Sequence, residues 1–173
     1  NLNSPAPNEL PPLPGAAKEA NTVAKILREH RYETTLVGAR SEAPEVLSAV
    51  FQRPYRILHL AAHGIVQTAG ADGKERTGVV LSDGILLTAA EVGQLETVPD
   101  LVFLNCCHLG QAHQLPTETR RIAYSLAREF IEMGVRCVVA AGWEVDDAAA
   151  SRFAEVFYTA MVRDSKPFGD AVF

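Results

Sequence analysis

The chain has 173 residues, enough for one domain, and 47% of them are hydrophobic against 21% charged. This composition can bury a core and excludes global disorder. The formal net charge of −5 comes without a run of Lys or Arg, so nucleic acid is not expected to bind directly. Three cysteines, two of them adjacent, make no disulfide framework and predict a reducing, cytoplasmic location. No apolar stretch reaches about 18 residues, so no membrane partner is predicted.

Both ends of the chain predict a domain excised from a longer protein. The start, NLNSPAPNELPPLPG, holds five of the ten prolines, which predicts an extended linker or leader over residues 1–14. The folded domain is then expected over 15–173. Its last residues, SKPFGDAVF, stop within an apolar pattern that begins another helix.

Hydrophobic periodicity predicts the regular elements along the chain. Helices are expected over 16–31, 42–51, 117–133 and 146–161, and a short helix after Thr88, where Glu91 completes a capping box. Strands are expected over 32–37, 56–62, 100–106 and 136–143. The dipeptide Asp83-Gly84 between two apolar pieces predicts a hairpin, and 65–77 reads as a loop or the end of a hairpin.

The order of these elements predicts an α/β fold. Its strands alternate with helices and are apolar on both faces, which is typical of a mainly parallel β-sheet flanked by helices. Ligands bind such sheets outside the carboxyl ends of the strands. Three of the predicted strands end in polar or reactive residues, namely His63-Gly64, Cys106-Cys107-His108 and the segment from Trp143 to Asp147. We therefore expect these three sets to meet at one edge of the sheet.

Two of these sets contain the groups that a cysteine hydrolase needs. Cys107 could supply the thiolate and His63 the proton shuttle. The N–H of Gly64 could help to hold an oxyanion, because no side chain blocks the approach of a substrate. Asp146 and Asp147 could line a pocket for a basic side chain.

Structural roles compete with these interpretations. Cys106 alternates with Cys107 along the strand, so Cys106 is expected to face the core, where Cys137 is also expected. His59 lies earlier in its strand and is expected to be a hydrogen-bonded core residue. Asp146 and Asp147 could simply cap a helix, and Trp143 could be a core aromatic.

A metal site is a further alternative. Its ligands would be Cys106 or Cys107 with His108 and His113, and His63 could join them. Adjacent cysteines fit one tetrahedral ion poorly, and no second pair of ligands with zinc spacing follows. Phosphate-binding loops and a Cys-x-x-Cys redox motif are absent from the sequence. No metal and no other cofactor is therefore predicted.

Five segments in a fixed order resemble one known family. They are LPGAAKEANTVAKIL, ILHLAAHG, GVVLSDGILLTAAEV, DLVFLNCCHLG and LAREFIEMGVRCVVAAGWEVDDAAASRFAEVFY, and together they span about residues 12–173. The chain resembles the CHAT domain, a member of the cysteine protease clan that includes caspases, metacaspases, gingipains and separase. The resemblance implies a caspase-like three-layer α/β sandwich.

The resemblance also assigns roles to particular residues. The family's histidine-glycine pair is matched by His63-Gly64. Its motif Leu-Ser-Ala-Cys-Glu-Thr-Gly aligns with Leu104–Gly110, which makes Cys107 the nucleophile. The sequence departs from the motif at Asn105, Cys106, His108 and Leu109, and His108 stands directly beside the nucleophile. The family's Trp-x-Val-x-Asp signature is matched by Trp143, Val145 and Asp147, so Asp147 is the first choice and Asp146 the second for the acid that binds a basic P1 residue.

The activity implied is that of a cysteine endopeptidase that cleaves polypeptides after Arg or Lys. Members of this family are commonly regulated by repeat or sensor domains, which we expect elsewhere in the full-length protein. Two interpretations compete with this one. The domain could keep the fold as a non-catalytic interaction module, or it could be a metal-binding module.

Overall fold

The computed structural model describes residues 10, 13–38, 41–69, 74–106, 116–141 and 146–172. For 66–69, 74–75, 83, 116–122 and 147 it describes the backbone alone. Within this part of the chain the helices are α1 (Pro14–Glu29), α2 (Ala43–Phe51), α3 (Ala89–Val92), α4 (Pro116–Glu132), α5 (Asp147–Val162) and α6 (Phe168–Ala171). The strands are β1 (Ile57–Ala61), β2 (Gly64–Ala69), β3 (Lys74–Val80), β4 (Leu86–Thr88), β5 (Leu101–Asn105) and β6 (Cys137–Ala140).

The strands form two sheets of different kinds. The first sheet has the order β1-β5-β6, and both of its pairings are parallel. The second has the order β2-β3-β4 and is antiparallel. A short 3-10 helix, Ser82–Gly84, connects β3 to β4, so the predicted hairpin at Asp83-Gly84 is confirmed. The parallel sheet predicted from the alternation of elements is confirmed as well.

Side-chain alternation along β5 divides the core into two layers. Val102, Leu104 and Cys106 point to one face of the parallel sheet, where they pack in one cluster with Leu126 and Phe130 of α4. The opposite face of β5 packs against α1 and α5 in a second cluster, formed by Leu101, Phe103, Val23, Leu27, Phe157 and Tyr158. Helices therefore cover both faces of the sheet, and the three-layer α/β architecture is confirmed.

The two helices on one face are held by apolar stripes of helical spacing. In α1 the residues Val23, Ala24 and Leu27 are buried, and Ala20 on the same face is half-buried. In α5 the residues Ala154, Phe157 and Tyr158 are fully buried against it.

Among the helices of the described residues, none combines the length and the apolar character that a membrane span needs.

The short α3 confirms the predicted cap at its start. The Thr88 hydroxyl accepts a hydrogen bond from the Ala90 N–H, and the Glu91 carboxylate accepts one from the Thr88 N–H. The hydroxyl of Thr88 also hydrogen-bonds this carboxylate, which lowers the pKa of Glu91. The helix ends at Val92, and Gly93 is its C-cap.

The predicted strand at 32–37 is wrong. This segment has no regular secondary structure and pairs with no strand of the described residues. Side chains tie it to helix ends instead: Arg28 donates to the Thr34 hydroxyl, and Glu33 pairs with Arg53 at 2.9 Å. Because Leu36 remains 39% exposed, the segment buries little apolar surface that would favour pairing.

Of the two predictions for 65–77, a loop or the end of a hairpin, the structure shows the hairpin. Most of this range forms the β2–β3 ladder, which runs from Gly64↔Val79 to Ala69↔Lys74. The polar composition hides these strands, because backbone groups can form a ladder whatever the side chains are. The connection at 70–73 lies outside the described residues.

Gly78 allows β3 and β4 to approach closely, and its replacement tests this packing. A Cβ at position 78 would lie 2.6 Å from the Leu87 carbonyl oxygen and 3.1 Å from its carbon. We expect Gly78→Ala to lower the free energy of unfolding by about 1–3 kcal/mol, measured by urea titration, because backbone atoms must move apart. Gly38→Ala is the control, since nothing lies within 4 Å of its Cβ position. An equal effect of both substitutions would contradict the steric explanation.

Candidate active site

The carboxyl end of the parallel sheet brings two of the predicted site segments together. The β1–β5 ladder ends with Ala61 opposite Asn105. One further bond extends it, because the Ala62 N–H donates to the Asn105 carbonyl at 3.2 Å. His63 follows Ala62 by one residue, and Cys107 follows Asn105 by two. Cys107 itself lies outside the described residues, as do His108 and the rest of 107–115.

His63 stands between β1 and β2, where the chain leaves one sheet for the other. Its carbonyl accepts a hydrogen bond from the Val80 N–H at 2.8 Å, which fixes its backbone to β3. Its side chain is half-buried, and the Nδ1 atom is fully buried. A cleft of about 1210 Å³ reaches His63 along β1 and also contacts Ser82 and the 30–38 segment. The imidazole thus lines an accessible cleft while its backbone is held by the second sheet.

Gly64 is the first residue of β2 and lies opposite Val79. The hydrogen bond from the Val80 N–H to the His63 carbonyl makes His63 and Val80, the next pair along, a hydrogen-bonded pair. Because hydrogen-bonded and non-hydrogen-bonded pairs alternate in antiparallel ladders, Gly64 and Val79 form a non-hydrogen-bonded pair. The N–H of Gly64 therefore points away from β3, at the outer edge of β2 and beside His63.

The cysteines of the described residues have the core positions predicted for them. Cys106 is 8% exposed and packs with the α4 face of the sheet, and its Sγ lies 4.0 Å from the Leu60 carbonyl oxygen. Cys137 is half-buried on the opposite face, and burial raises the pKa of its thiol. Neither is in a disulfide. A thiol with a raised pKa is a poor nucleophile at neutral pH.

The two acidic residues predicted for substrate binding occupy the start of α5. Asp146 is its N-cap, and its Oδ1 accepts hydrogen bonds from the N–H groups of Ala148 at 3.0 Å and Ala149 at 3.2 Å. The capping role considered for this residue is therefore confirmed. Asp147 is the first helical residue, but its side chain lies outside the described part. Trp143 and Val145 also lie outside it.

The ligands considered for a metal site are not assembled in the described residues. Cys106 belongs to the core, while Cys107, His108 and His113 lie outside the described part. Within the described residues no group of three or more His, Cys, Asp or Glu side chains could hold a metal ion.

A buried polar cluster on the α1 face of the sheet was missed by sequence reasoning. The carboxyl of Glu19 is 1% exposed and accepts a hydrogen bond from the Asn105 side-chain amide at 2.8 Å. Its other oxygen lies 3.0 Å from His59 Nε2, close enough for an ion pair although the ring N–H is not aligned for a hydrogen bond. His59 Nδ1 lies 3.1 Å from the Tyr158 hydroxyl. His59 is thus the core residue that its position predicts, and Glu19 is the unexpected member.

The surroundings of the cluster are apolar and close-packed. The His59 ring stacks on Phe103 with centroids 4.9 Å apart. Burial, together with the negative charge of Glu19, raises the pKa of Tyr158, so its phenol stays protonated at neutral pH. One signal in the sequence could have identified Glu19, because it lies on the same helical stripe as the buried Val23 and Leu27.

The cap at Asp146 generates a prediction for stability. We expect Asp146→Ala to lower the free energy of unfolding by about 1 kcal/mol, because two N–H groups of α5 lose their acceptor. Asp146→Asn should change it by only a few tenths of a kcal/mol, because asparagine caps about as well as aspartate. Urea titration of both variants measures this difference. An equal loss in both would show that the charge matters and the cap does not.

Comparison with known proteins identifies the family of the chain. The family model described as "CHAT domain" matches residues 3–172, nearly the whole chain. A search of curated proteins and one of solved structures each found no match. CHAT domains are members of the caspase-like clan of proteases. On a match of this extent, the chain belongs to the CHAT domain family.

Proposed function

We propose that this domain is a cysteine endopeptidase in which Cys107 and His63 form the catalytic pair. The observation that carries the proposal is the hydrogen bond from Ala62 to Asn105, which joins the two strand ends that lead to these residues. Two chain segments joined by a backbone bond at the carboxyl edge of a parallel sheet emerge side by side. A site with a nucleophile on one segment and a base on the other needs this arrangement.

The reaction follows the chemistry of a thiolate and an imidazole. The Cys107 sulfur attacks the scissile carbonyl carbon, and the electron pair of the carbonyl moves onto its oxygen. The N–H groups of Gly64 and Cys107 stabilise this oxyanion. His63 gives a proton to the departing amine as the carbon–nitrogen bond breaks, which leaves a thioester. His63 then takes a proton from water, which hydrolyses the thioester and releases the carboxylate product and the free cysteine.

The position of Gly64 supports its part in this scheme. Its N–H points out of the β2–β3 ladder, and it directly follows the proposed base. The residue itself is buried, so a hydrogen bond from its N–H acts where water screens it little.

The basic P1 preference is assigned to Asp147. The carboxylate of Asp146 already accepts two helix N–H groups, which leaves Asp147 as the first choice for pairing with an Arg or Lys side chain. Both acids stand at the start of a helix that packs on the same sheet as β1 and β5.

We further propose that the partners are polypeptide substrates and regulatory repeat or sensor domains of the full-length protein. No cofactor is needed for the scheme. A cytoplasmic location fits the thiols of Cys106 and Cys137, neither of which is in a disulfide.

Removal of the nucleophile is the direct test of the proposed activity. We expect Cys107→Ala to lower kcat for basic-P1 peptides at least about 1000-fold in the activated full-length protein, because the thioester can no longer form. Cys106→Ala and Cys137→Ala are the matched controls and should keep kcat, because both side chains pack in the core. Unchanged turnover in Cys107→Ala would disprove the assignment. A thiol probe that labels Cys107 no faster than Cys137 would favour the non-catalytic interaction domain.

A second prediction concerns the basic P1 preference. Asp147→Lys should abolish cleavage after Arg and Lys, because a like charge then meets the substrate side chain. Asp146→Asn removes a neighbouring charge but keeps the cap of α5, so it controls for helix stability. The measurement is kcat/KM for peptides that differ only at P1. If Asp147→Lys keeps the preference and Asp146→Asn loses it, the pocket acid is Asp146.

A further inference from the structure

Asn105 joins three elements directly beside the proposed catalytic pair. It is the last residue of β5, and its carbonyl accepts the bond from Ala62, one residue before His63. Its side-chain amide donates at 2.8 Å to the carboxyl of Glu19 on α1. The end of β5 is therefore attached by its backbone to the segment that carries His63, and by its side chain to a buried acid.

Glu19 is a rigid anchor for this amide. Only 1% of its side chain is exposed, and His59 Nε2 lies 3.0 Å from its second oxygen. His59 is in turn held by the Tyr158 hydroxyl and by the Phe103 ring. These contacts reach from α1 through β1 and β5 to α5, so the carboxyl cannot move without disturbing the core.

A buried carboxyl at this position is not explained by stability. Replacement of buried ionic groups with apolar residues of similar volume is often neutral or stabilising. A carboxylate, however, forms shorter and stronger hydrogen bonds than a neutral acceptor does. Such a bond is suited to hold the strand end at one distance from its neighbour.

We propose that Glu19 is a positioning residue, which fixes the end of β5 through Asn105 and thereby sets the separation between Cys107 and His63. This inference rests on the proposed function. Catalytic groups must be held to within about 0.5 Å of their productive geometry. A misplacement of about 1 Å costs on the order of 100-fold in rate. Glu19 touches neither substrate nor reacting atoms and acts through Asn105.

The first test is Glu19→Gln in the full-length protein. Glutamine keeps the shape, but it cannot present an oxygen acceptor of equal strength to both Asn105 and His59. We expect kcat for basic-P1 peptides to fall about 10–100-fold, with KM changed less than about 2-fold, because positioning acts on the chemical step. Glu29→Gln is the matched control on the same helix. Glu29 is exposed and pairs with Lys25 at 3.8 Å, so kcat should remain unchanged.

The second readout needs no turnover. The rate at which iodoacetamide alkylates Cys107, followed against pH by peptide mapping, reports how strongly His63 supports the thiolate. In Glu19→Gln we expect the midpoint of this profile to move to higher pH by about one unit, toward that of a free cysteine. Cys137 serves as the internal reference, because it pairs with Leu101 at the opposite end of the sheet from Asn105 and should keep its own profile.

A rescue separates positioning from general stability. Glu19→Gln combined with Asn105→Asp reverses the donor and the acceptor, so the glutamine amide can donate to position 105. We expect kcat and the alkylation profile to return to within about 3-fold of the starting protein. A double variant that regains the unfolding midpoint but keeps the low kcat of the single variant would overturn the proposal.

The outcomes distinguish this inference from the proposed function. If Cys107→Ala abolishes turnover while folded Glu19→Gln keeps both kcat and the Cys107 profile, Glu19 has no positioning role. If Cys107→Ala leaves turnover unchanged, the proposed function fails, and the alkylation profile alone decides about Glu19. Should Glu19→Gln not fold, Asn105→Ser removes the same hydrogen bond from the β5 side, and an unchanged Cys107 profile in that variant would also overturn the inference.

Discussion

The parallel pairing of β1 with β5 is the interaction on which the rest of this structure depends. It runs from Ile57↔Leu101 to Ala61↔Asn105, and the bond from Ala62 extends it by one step. Because β5 is also paired with β6 on its other side, it is the central strand of its sheet and four of its five residues are buried. Its register therefore decides which side chains contact α4 on one face of the sheet and which contact α1 and α5 on the other. It also decides which chain segments lie together at the carboxyl edge.

The buried acid on α1 couples this edge to the core. Removal of one partner of a buried hydrogen bond typically costs about 1–3 kcal/mol, because the remaining polar group stays unsatisfied. Glu19 contacts β1 through His59 and β5 through Asn105, so α1 is held to the sheet by directional contacts as well as by apolar packing. At the opposite edge Asp100 pairs with Arg56 and Arg136 in exposed contacts, which contribute little. The stronger polar contacts, those of Glu19, thus lie toward the carboxyl end of the sheet, where the site is proposed.

Most regular elements could be predicted, because their signals are local. Apolar periodicity located α1, α2, α4 and α5 to within a few residues, and alternation in β5 placed Cys106 in the core. Capping chemistry identified the start of α3, because Thr88 and Glu91 are neighbours in the chain. The failures share a physical cause: the 32–37 segment contains residues that favour strands but pairs with no strand of the described residues, whereas β2 and the start of β3 are polar yet paired. Pairing of a strand requires a neighbouring strand, and the composition of a segment does not show whether one is present.

The sequence by itself determined the class of elements, the family motifs and the candidate pair His63 and Cys107, because these depend on residue types at short spacing. The sequence also contains a signal that Glu19 shares a helical stripe with Val23 and Leu27, but no pattern shows what the carboxyl contacts there. Only the tertiary structure decided that Glu19 meets Asn105, 86 positions away, and that His59 meets Tyr158, 99 positions away. The physical reason is that local periodicity specifies which face a side chain occupies, while strand register and helix packing select its partner across that face.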